Sequence, residues 1–559
     1  MGNIIKRNET IANLMLKQVN NENFKCKNKI ISALKLLLND QNQKYDLDLS
    51  YESFNKKDPH KIELKLSKFN ENTKSRKNSG TYYTPADVTN YINLNTILMA
   101  ILENNDKTYK DYKAMEKIIS LDLEVIKELL FEKTFFDPTC GSGEFLVNAA
   151  EIKIETLNST IGISDNHLLE IARTIYGNDI NQESVDIAMY RLFVTFARII
   201  ENEENYKNLA NIIKGNFTTY DFVNYNKQIN KKFDIIIGNP PYVEYRQYKG
   251  ERNKNLSFGN VYADVIFNTF GLVKNKGAIG YVLPLSYAAT NRMNKLREIV
   301  IEKFSTQFVL SFADRPDCLF PGVHQKLNIV IAKKGKDEHK LYSSRYNIWR
   351  KEEREQLLNG CEIIRVYNGA PSYVPKIGNK IEESIFRKIR TVTNDNIFDN
   401  QSDKGKPIYL NMRACFWIKA FSFNPGSNEY KTFKYEKEKK SFILSVLNSS
   451  LFWMFWTVVS DGWHITNKEL KEFLIPDIYI DYEVFDKLFK KLENKLEKTK
   501  KYIGSKQTEY EYKHKECKDV IDEIDDALAD VYGLTKEELD YVKNFSITYR
   551  TGEKNDQDN

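Results

Sequence analysis

Cysteine is scarce and scattered. The six thiols, Cys26, Cys140, Cys318, Cys361, Cys415 and Cys517, form no CxxC pair and no Cys/His cluster. That excludes a disulfide scaffold and a structural zinc site, leaves no metal-ligand set to expect, and fits a reducing compartment. An apolar leader is also missing, because the first residues read MGNIIKRNET and lack the hydrophobic stretch of a secretory signal. Lys6 stands where N-myristoylation requires Ser or Thr. Charge of one sign is absent too: 83 Lys+Arg against 77 Asp+Glu leaves +6, so any basic surface must be local. Only one apolar run approaches membrane length, Phe442 to Val459, and Asn448, Ser449 and Ser450 interrupt it. It reads as a buried helix. The expectation is a cytoplasmic chain without a membrane partner.

What is present is an ordinary globular composition, 41% hydrophobic and 29% charged over 559 residues. At roughly 100–200 residues per domain this leaves room for about three or four domains. Residues 1–75 are rich in Lys and Asn, with helical apolar spacing at Ile31, Leu34, Leu37 and Leu38. Asp48 followed by Glu63-Leu64-Lys65 has the residue types of a Mg²⁺ nuclease. The segment is too short for a nuclease sheet, and a helical extension is expected. Residues 76–335 alternate short apolar runs (Phe135-Phe136, Ile175-Tyr176, Phe233 to Ile237, Ile279 to Leu283) with helical stretches such as Phe145 to Leu157 and Gln182 to Ile200. Such alternation predicts an α/β domain with an open, mostly parallel sheet, covered on both faces. Residues 336–480 interleave basic and aromatic residues, and residues 481–559 read as helical. There Thr535 and Glu538 form a capping box behind Gly533, and Gly552 to Asn559 form a tail.

Ligands of parallel sheets bind beyond the carboxyl ends of the strands, and the unusual residues fall there. After Phe135-Phe136 comes Asp137-Pro138-Thr139-Cys140-Gly141-Ser142-Gly143, then a helix. The two glycines let backbone approach a small ligand closely. No Gly-Lys-Ser/Thr follows, so this is not a triphosphate loop. The next run ends in Asp179-Ile180, where the acid can accept from ribose hydroxyls and Ile180 can pack on a base, or the pair simply opens the next helix. A third run, Asn211 to Lys214, ends in Gly215-Asn216-Phe217, an amide and a ring for a purine or a plain turn. Thirty-six residues separate Gly143 from Asp179, against about 20 in many nucleotide folds, so an inserted segment is expected.

The fourth run, Phe233 to Gly238, leads into Asn239-Pro240-Pro241-Tyr242, the most specific signal in the chain. Two prolines cannot extend a ladder and hold the backbone extended. They present the Asn239 side chain and the Pro240 carbonyl as acceptors beside the Tyr242 ring, which suits a planar ring bearing an exocyclic amine.

Together these residues resemble the S-adenosylmethionine-dependent amino-methyltransferases of DNA, of the adenine-N6, restriction–modification type. The resemblance implies a Rossmann-like, mostly parallel, seven-stranded methyltransferase sheet at 76–335, a target-recognition domain at 336–480 and a helical end at 481–559. It implies that S-adenosylmethionine is held by Asp137, Thr139, Cys140, Gly141, Gly143, Asp179, Ile180, Asn216 and Phe217. Gly80-Thr81-Tyr82-Tyr83-Thr84-Pro85-Ala86-Asp87 resembles the family's upstream donor-binding segment, whose place before the glycine loop marks the γ order. Thr81, Tyr82, Thr84 and Pro85 belong to the donor site on that reading, with Thr84 as helix N-cap and Pro85 at the first helical position. Tyr262-Ala263-Asp264 and the Gly277–Pro284 stretch resemble the helix and strand that complete the sheet. Phe320 stands where some relatives supply a second ring on the target base, beside Tyr242. Asn216 stands where an Asp is commoner.

The implied activity is site-specific adenine-N6 methylation of double-stranded DNA, with the base flipped out of the helix and Asn239, Pro240, Pro241 and Tyr242 as catalytic residues. A cognate restriction endonuclease is the further implied partner. Base recognition is expected among Arg345, Arg350, Arg365, Arg387, Arg390, Arg413 and Lys419 with Tyr346, Trp349, Phe416 and Trp417, while Trp463 and His464 read as packing residues. Rival readings are a protein-glutamine or RNA amino-methyltransferase using the same tetrapeptide, a cytosine-N4 enzyme, whose tetrapeptide commonly begins with Ser, and a non-catalytic DNA-binding subunit.

Overall fold

The computed structural model describes residues 2–22, 24–38, 65–66, 83–224, 229–248, 258–366, 372–391, 395–504 and 509–552. Thr81 and Tyr82, and the acids Asp48 and Glu63, lie outside them. The strands of the large sheet are β1 (Phe135–Asp137), β2 (Ile175–Asp179), β3 (Phe217–Thr219), β4 (Phe233–Gly238), β5 (Val273–Pro284), β6 (Phe304–Phe312), β7 (Leu327–Lys334), β8 (Lys340–Asn347) and β9 (Ile363–Val366). Their order is β3-β2-β1-β4-β5-β7-β6-β8-β9. The five strands β3-β2-β1-β4-β5 are mutually parallel; β7 is antiparallel to both β5 and β6, β6 and β8 are parallel, and β9 turns back on β8.

The sheet therefore has nine strands where seven are expected. The two additional strands come from residues beyond 335, so the sheet runs into the region read as a recognition module. Their polar residues hid them: Ser343, Ser344 and Arg345 interrupt the apolar pattern of β8.

Alternation along the strands explains the two-sided core. Phe135, Ile235, Ile237 and Val282 enter one hydrophobic cluster, and Phe136, Ile236, Ile279 and Tyr281 enter the other. The helix Ala86–Ile101 lies on the first face so closely that a Cβ at Gly280 would meet the Thr96 hydroxyl at 2.1 Å. The second cluster continues without a break into the C-terminal part, through Phe442, Trp453, Phe455 and Trp456. The long Gly143–Asp179 interval is filled by Glu144–Thr160 and a further helix, Asp165–Ala172.

The apolar run around Phe442 forms two buried helices, Lys437–Asn448 and Ser450–Val459, bent by 64°. Among the described residues no single helix is long and apolar enough to cross a membrane, though this bent pair passes by length and composition. Beyond it, Tyr482–Thr499 ends sooner than the charge pattern implies, and Lys518–Tyr532 stops at Gly533 (φ +60°) before the Thr535/Glu538 capping box. Arg550 is clamped between Trp417 and Trp453, at 4.1 and 4.3 Å from their ring centroids, and ties the last described helix to this core.

Candidate active site

The loops after β1, β2 and β4 meet at one edge of the sheet, because parallel strands deliver their carboxyl ends together. After β1 the chain turns through Gly141 (φ +53°) and Gly143 (φ +84°). They serve different purposes. A Cβ at Gly143 would stand 2.9 Å from that of Ala188, so this glycine packs one helix on another, whereas a Cβ at Gly141 would meet nothing within 4 Å. Gly141 thus borders open space. Its N–H donates to Asp179 Oδ2 at 2.9 Å, and Asn181 N–H donates to Asp179 Oδ1 at 2.8 Å. Ile180, beside them, is 62% exposed, an apolar side chain held in the opening of a site.

Asp137 is buried, accepts from the Thr139 N–H at 3.0 Å, and is pressed by the end of β4, where a Cβ at Gly238 would fall 2.6 Å from its Oδ1. Burial pushes its carboxyl well above the ordinary range, and the charge of Asp179 adds to this; burial raises Asp179 as well. The same burial, with these two acids, pushes the Cys140 thiol up, which disfavours its thiolate. The Thr139 hydroxyl is buried with no hydrogen-bond partner among the described residues.

At the end of β4, Asn239 Nδ2 donates to the hydroxyl of Thr84 at 3.1 Å. Among the described residues no donor reaches the Pro240 carbonyl, while that of Pro241 accepts from the Val243 N–H at 3.1 Å. Tyr242 donates to the Val282 carbonyl at 3.1 Å and meets Tyr262 edge-on. It lines a cleft of about 490 Å³ together with Glu244, Arg292, Lys326, Asp461 and Trp463.

Several expectations are corrected. Thr84 does not cap the following helix: Pro85 occupies the N-cap and Ala86 the first position, because the Thr84 hydroxyl is taken by Asn239. Asn216 and Phe217 lie at the wrong end of β3. The Asn211–Lys214 run belongs to the helix Asn205–Asn216, Asn216 bonds the Ala172 carbonyl at 3.1 Å, and Phe217 opens the strand. The carboxyl end of β3 carries Tyr220, Asp221 and Phe222 instead, with Asp221 held by Tyr248 and by the Val223 N–H. Phe320 is 1% exposed and packs in the core, presenting no face to a base in this conformation. In the basic and aromatic region, Trp349 and Tyr346 are buried and Arg345 is paired with Glu362 and Glu382. Trp463, expected to pack, is 36% exposed.

Two residues were not found by the sequence. Asn178 joins three elements, donating to the Pro138 and Tyr220 carbonyls (2.9 and 3.1 Å) and accepting from the Thr218 hydroxyl at 3.0 Å. Its neighbour Asp179 masked it in the motif. Arg354 clasps Asp87 with two bonds, at 2.8 and 3.0 Å, and the carbonyls of Cys318 and Leu319 at 3.1 and 2.7 Å. No local pattern signals a contact across that distance in sequence.

A glycine turn after β1, an acid ending β2 and a proline-stiffened acceptor after β4 thus meet at the carboxyl edge of the parallel strands of this α/β fold. In comparison with known proteins, residues 173–318 match the family described as Eco57I restriction-modification methylase. The chain is 27% identical over 157 residues to "Type II methyltransferase M.VspI" of Vibrio sp. (strain 343), covering 27% of this chain and 31% of that one. It is 28% identical over 152 residues to "Putative type II restriction enzyme and methyltransferase RM.MjaORFECS2P" of Methanocaldococcus jannaschii, covering 23% of this chain and 13% of that one. The similarity therefore spans less than a third of either curated relative. Among solved structures, the Type IIL restriction-modification enzyme MmeI in complex with DNA superposes with a TM-score of 0.53 at 13% identity, covering 98% of this chain and 94% of that one. This last likeness is one of fold.

Proposed function

We propose that this chain transfers a methyl group from S-adenosylmethionine to the N6 amine of an adenine flipped out of double-stranded DNA, as the modification activity of a restriction–modification system. The observation that carries the reading is the end of β4, where Asn239 is tied through its NH₂ to Thr84 and, among the described residues, no donor reaches the Pro240 carbonyl, beside the open glycine turn after β1.

The donor's features suit the residues around that turn. The unpartnered Thr139 hydroxyl, the space beyond Gly141 and the exposed Ile180 ring the opening, with the carboxylates of Asp137 and Asp179 matched to a cationic ligand. Thr139, Gly141, Asp179, Ile180 and Thr84 would hold it. When bound, S-adenosylmethionine supplies a methyl already activated by the sulfonium.

The chain's own contribution is placement. The Asn239 Oδ1 and the Pro240 carbonyl accept the two N–H bonds of the exocyclic amine, draw its lone pair out of ring conjugation and aim it towards the glycine turn. Fixed acceptors of this kind work by proximity and preorganisation. Flipping the base costs a few kcal/mol of stacking, and packing on the Tyr242 ring offsets roughly 1–3 kcal/mol of it.

The test is incubation of the purified chain with labelled donor and bulk genomic DNA, followed by single-molecule sequencing of the product. N6-methyladenine at one recurrent sequence is the expected result. Label appearing in RNA or protein but not in DNA, or on cytosine, overturns the reading.

A further inference from the structure

We infer that Trp463 is a second aromatic contact for the substrate, receiving a nucleobase of the DNA on the wall of the cleft that Tyr242 lines, with Arg315 turned to the adjoining phosphate. The inference rests on the function proposed above and extends it to a residue outside the methyltransferase motifs.

Trp463 comes from the loop between Ser450–Val459 and the helix Asn467–Glu472, far in sequence from Tyr242, yet both line the same 490 Å³ cleft. Large apolar side chains left 36% open in a cleft wall expose surface that folding would otherwise hide. This one is held open by design of its loop. The Asp461 carboxylate accepts from the N–H groups of Trp463 and His464, both at 2.8 Å, and from His464 Nδ1 at 2.9 Å. Gly462 adopts φ +69°, where a Cβ would fall 2.6 Å from the Tyr346 hydroxyl. The Ala414 N–H donates to the Trp463 carbonyl at 3.0 Å, and Trp456 Nε1 to that of His464 at 2.9 Å. The indole is therefore presented by a rigid turn, which keeps the entropy lost on contact small.

Its electrostatic setting favours a polyanion with flat apolar faces. Lys326 Nζ lies 4.5 Å from the ring centroid while paired with Asp314 at 2.9 Å. The exposed Arg315 guanidinium lies 5.8 Å from the ring, and no carboxylate pairs with it among the described residues. With Lys326 over the ring and held by Asp314, the exposed part of the indole and the exposed Arg315 guanidinium are left to the cleft, the composition of a nucleic-acid strand contact in which the ring takes a base and the guanidinium takes phosphate.

The experiment uses the full chain and a short synthetic duplex bearing the sequence found methylated above, with 2-aminopurine either at the target adenine or beside it. Trp463→Ala is expected to weaken duplex binding about tenfold or more and leave affinity for S-adenosylmethionine unchanged, with Trp463→Phe restoring most of the loss. Adding duplex should quench tryptophan fluorescence in wild type more than in Trp463→Phe, a comparison that stands even where the alanine variant fails to fold. The two probe positions tell whether the base received is the target or its neighbour. Arg315→Ala should flatten the salt dependence of binding. Duplex binding by Trp463→Ala equal to wild type, or equal quenching in wild type and Trp463→Phe, overturns the inference while leaving DNA methylation by the wild type intact. A wild type that methylates no DNA overturns the function itself.

Discussion

The side-chain amide of Asn239 donates to the hydroxyl of Thr84 at 3.1 Å, joining the end of β4 to the segment that leads into the Ala86–Ile101 helix, 155 residues away. Thr84 is 4% exposed, so the contact is shielded from water. With the amide so engaged, the segment before the Ala86–Ile101 helix and the Asn239–Tyr242 tetrapeptide are held as one unit.

Replacing Asn239 by Ala should abolish transfer while sparing the donor site. Loss of a preorganised polar group of this kind typically costs about 10²–10³ in rate. Labelled-methyl transfer measures the first effect and calorimetric titration with S-adenosylmethionine the second. Transfer within a few-fold of wild type would remove Asn239 from the mechanism.

Thr84→Val removes the partner of Asn239 without changing the shape of the side chain. A net hydrogen bond contributes roughly 0.5–1.5 kcal/mol, so turnover should fall about two- to tenfold, and Thr84→Ser should recover most of it. A serine variant as poor as the valine would show that the methyl packing of Thr84, not its oxygen, matters.

The two glycines of the turn after β1 should separate stability from binding. Gly143→Ala meets Ala188 at 2.9 Å in a left-handed conformation and should lower the urea midpoint by the equivalent of about 1–3 kcal/mol. Gly141→Ala shares the left-handed strain (φ +53°) but meets nothing within 4 Å, so its stability loss should be smaller and its main effect a weaker affinity for S-adenosylmethionine. Equal losses of both properties in the two variants would contradict this division.

Binding of the donor should release protons. Burial holds Asp137 well above its ordinary range, with Asp179 adding to the effect, and a cation beside them favours the ionised forms. Affinity should therefore fall as pH drops through that raised range, and Asp137→Asn should flatten the profile. Calorimetry in buffers of different ionisation enthalpy reports the proton directly.

Asp264 gives a stability prediction of defined sign. It is 2% exposed, accepts from the Tyr245 hydroxyl, and is raised by burial to about 7. Because its unfolded value is about 3.9, the stability its neutral form provides is complete below that value and lost as pH rises through about 7. Asp264→Asn, a mimic of the neutral acid, should raise the melting temperature above pH 7 relative to wild type and leave it little changed in acid.

The legible parts of the fold were those where one local signal sufficed. β1, β2 and β4 carry short apolar runs that lead into Asp137, Asp179 and the Asn239 tetrapeptide, so their place in a parallel sheet followed from the sequence. β3 is only three residues long, and the neighbouring Ile212-Ile213 pair, which belongs to a helix, outweighed it; the ligand end was therefore set at Asn216 and Phe217 rather than at Tyr220 to Phe222. Thr84 looked like a cap because its better partner is distant. Trp463 looked like packing because nothing near it in sequence says that its loop faces a cleft.

The continuation of the sheet through β8 and β9 constrains how this protein can be rebuilt. A chimaera joined at residue 336 would strip β6 of its parallel neighbour and leave its backbone donors bare. It would also cut away Arg354 and with it the clasp on Asp87 next to Thr84. Joints placed after β9 keep that lattice whole.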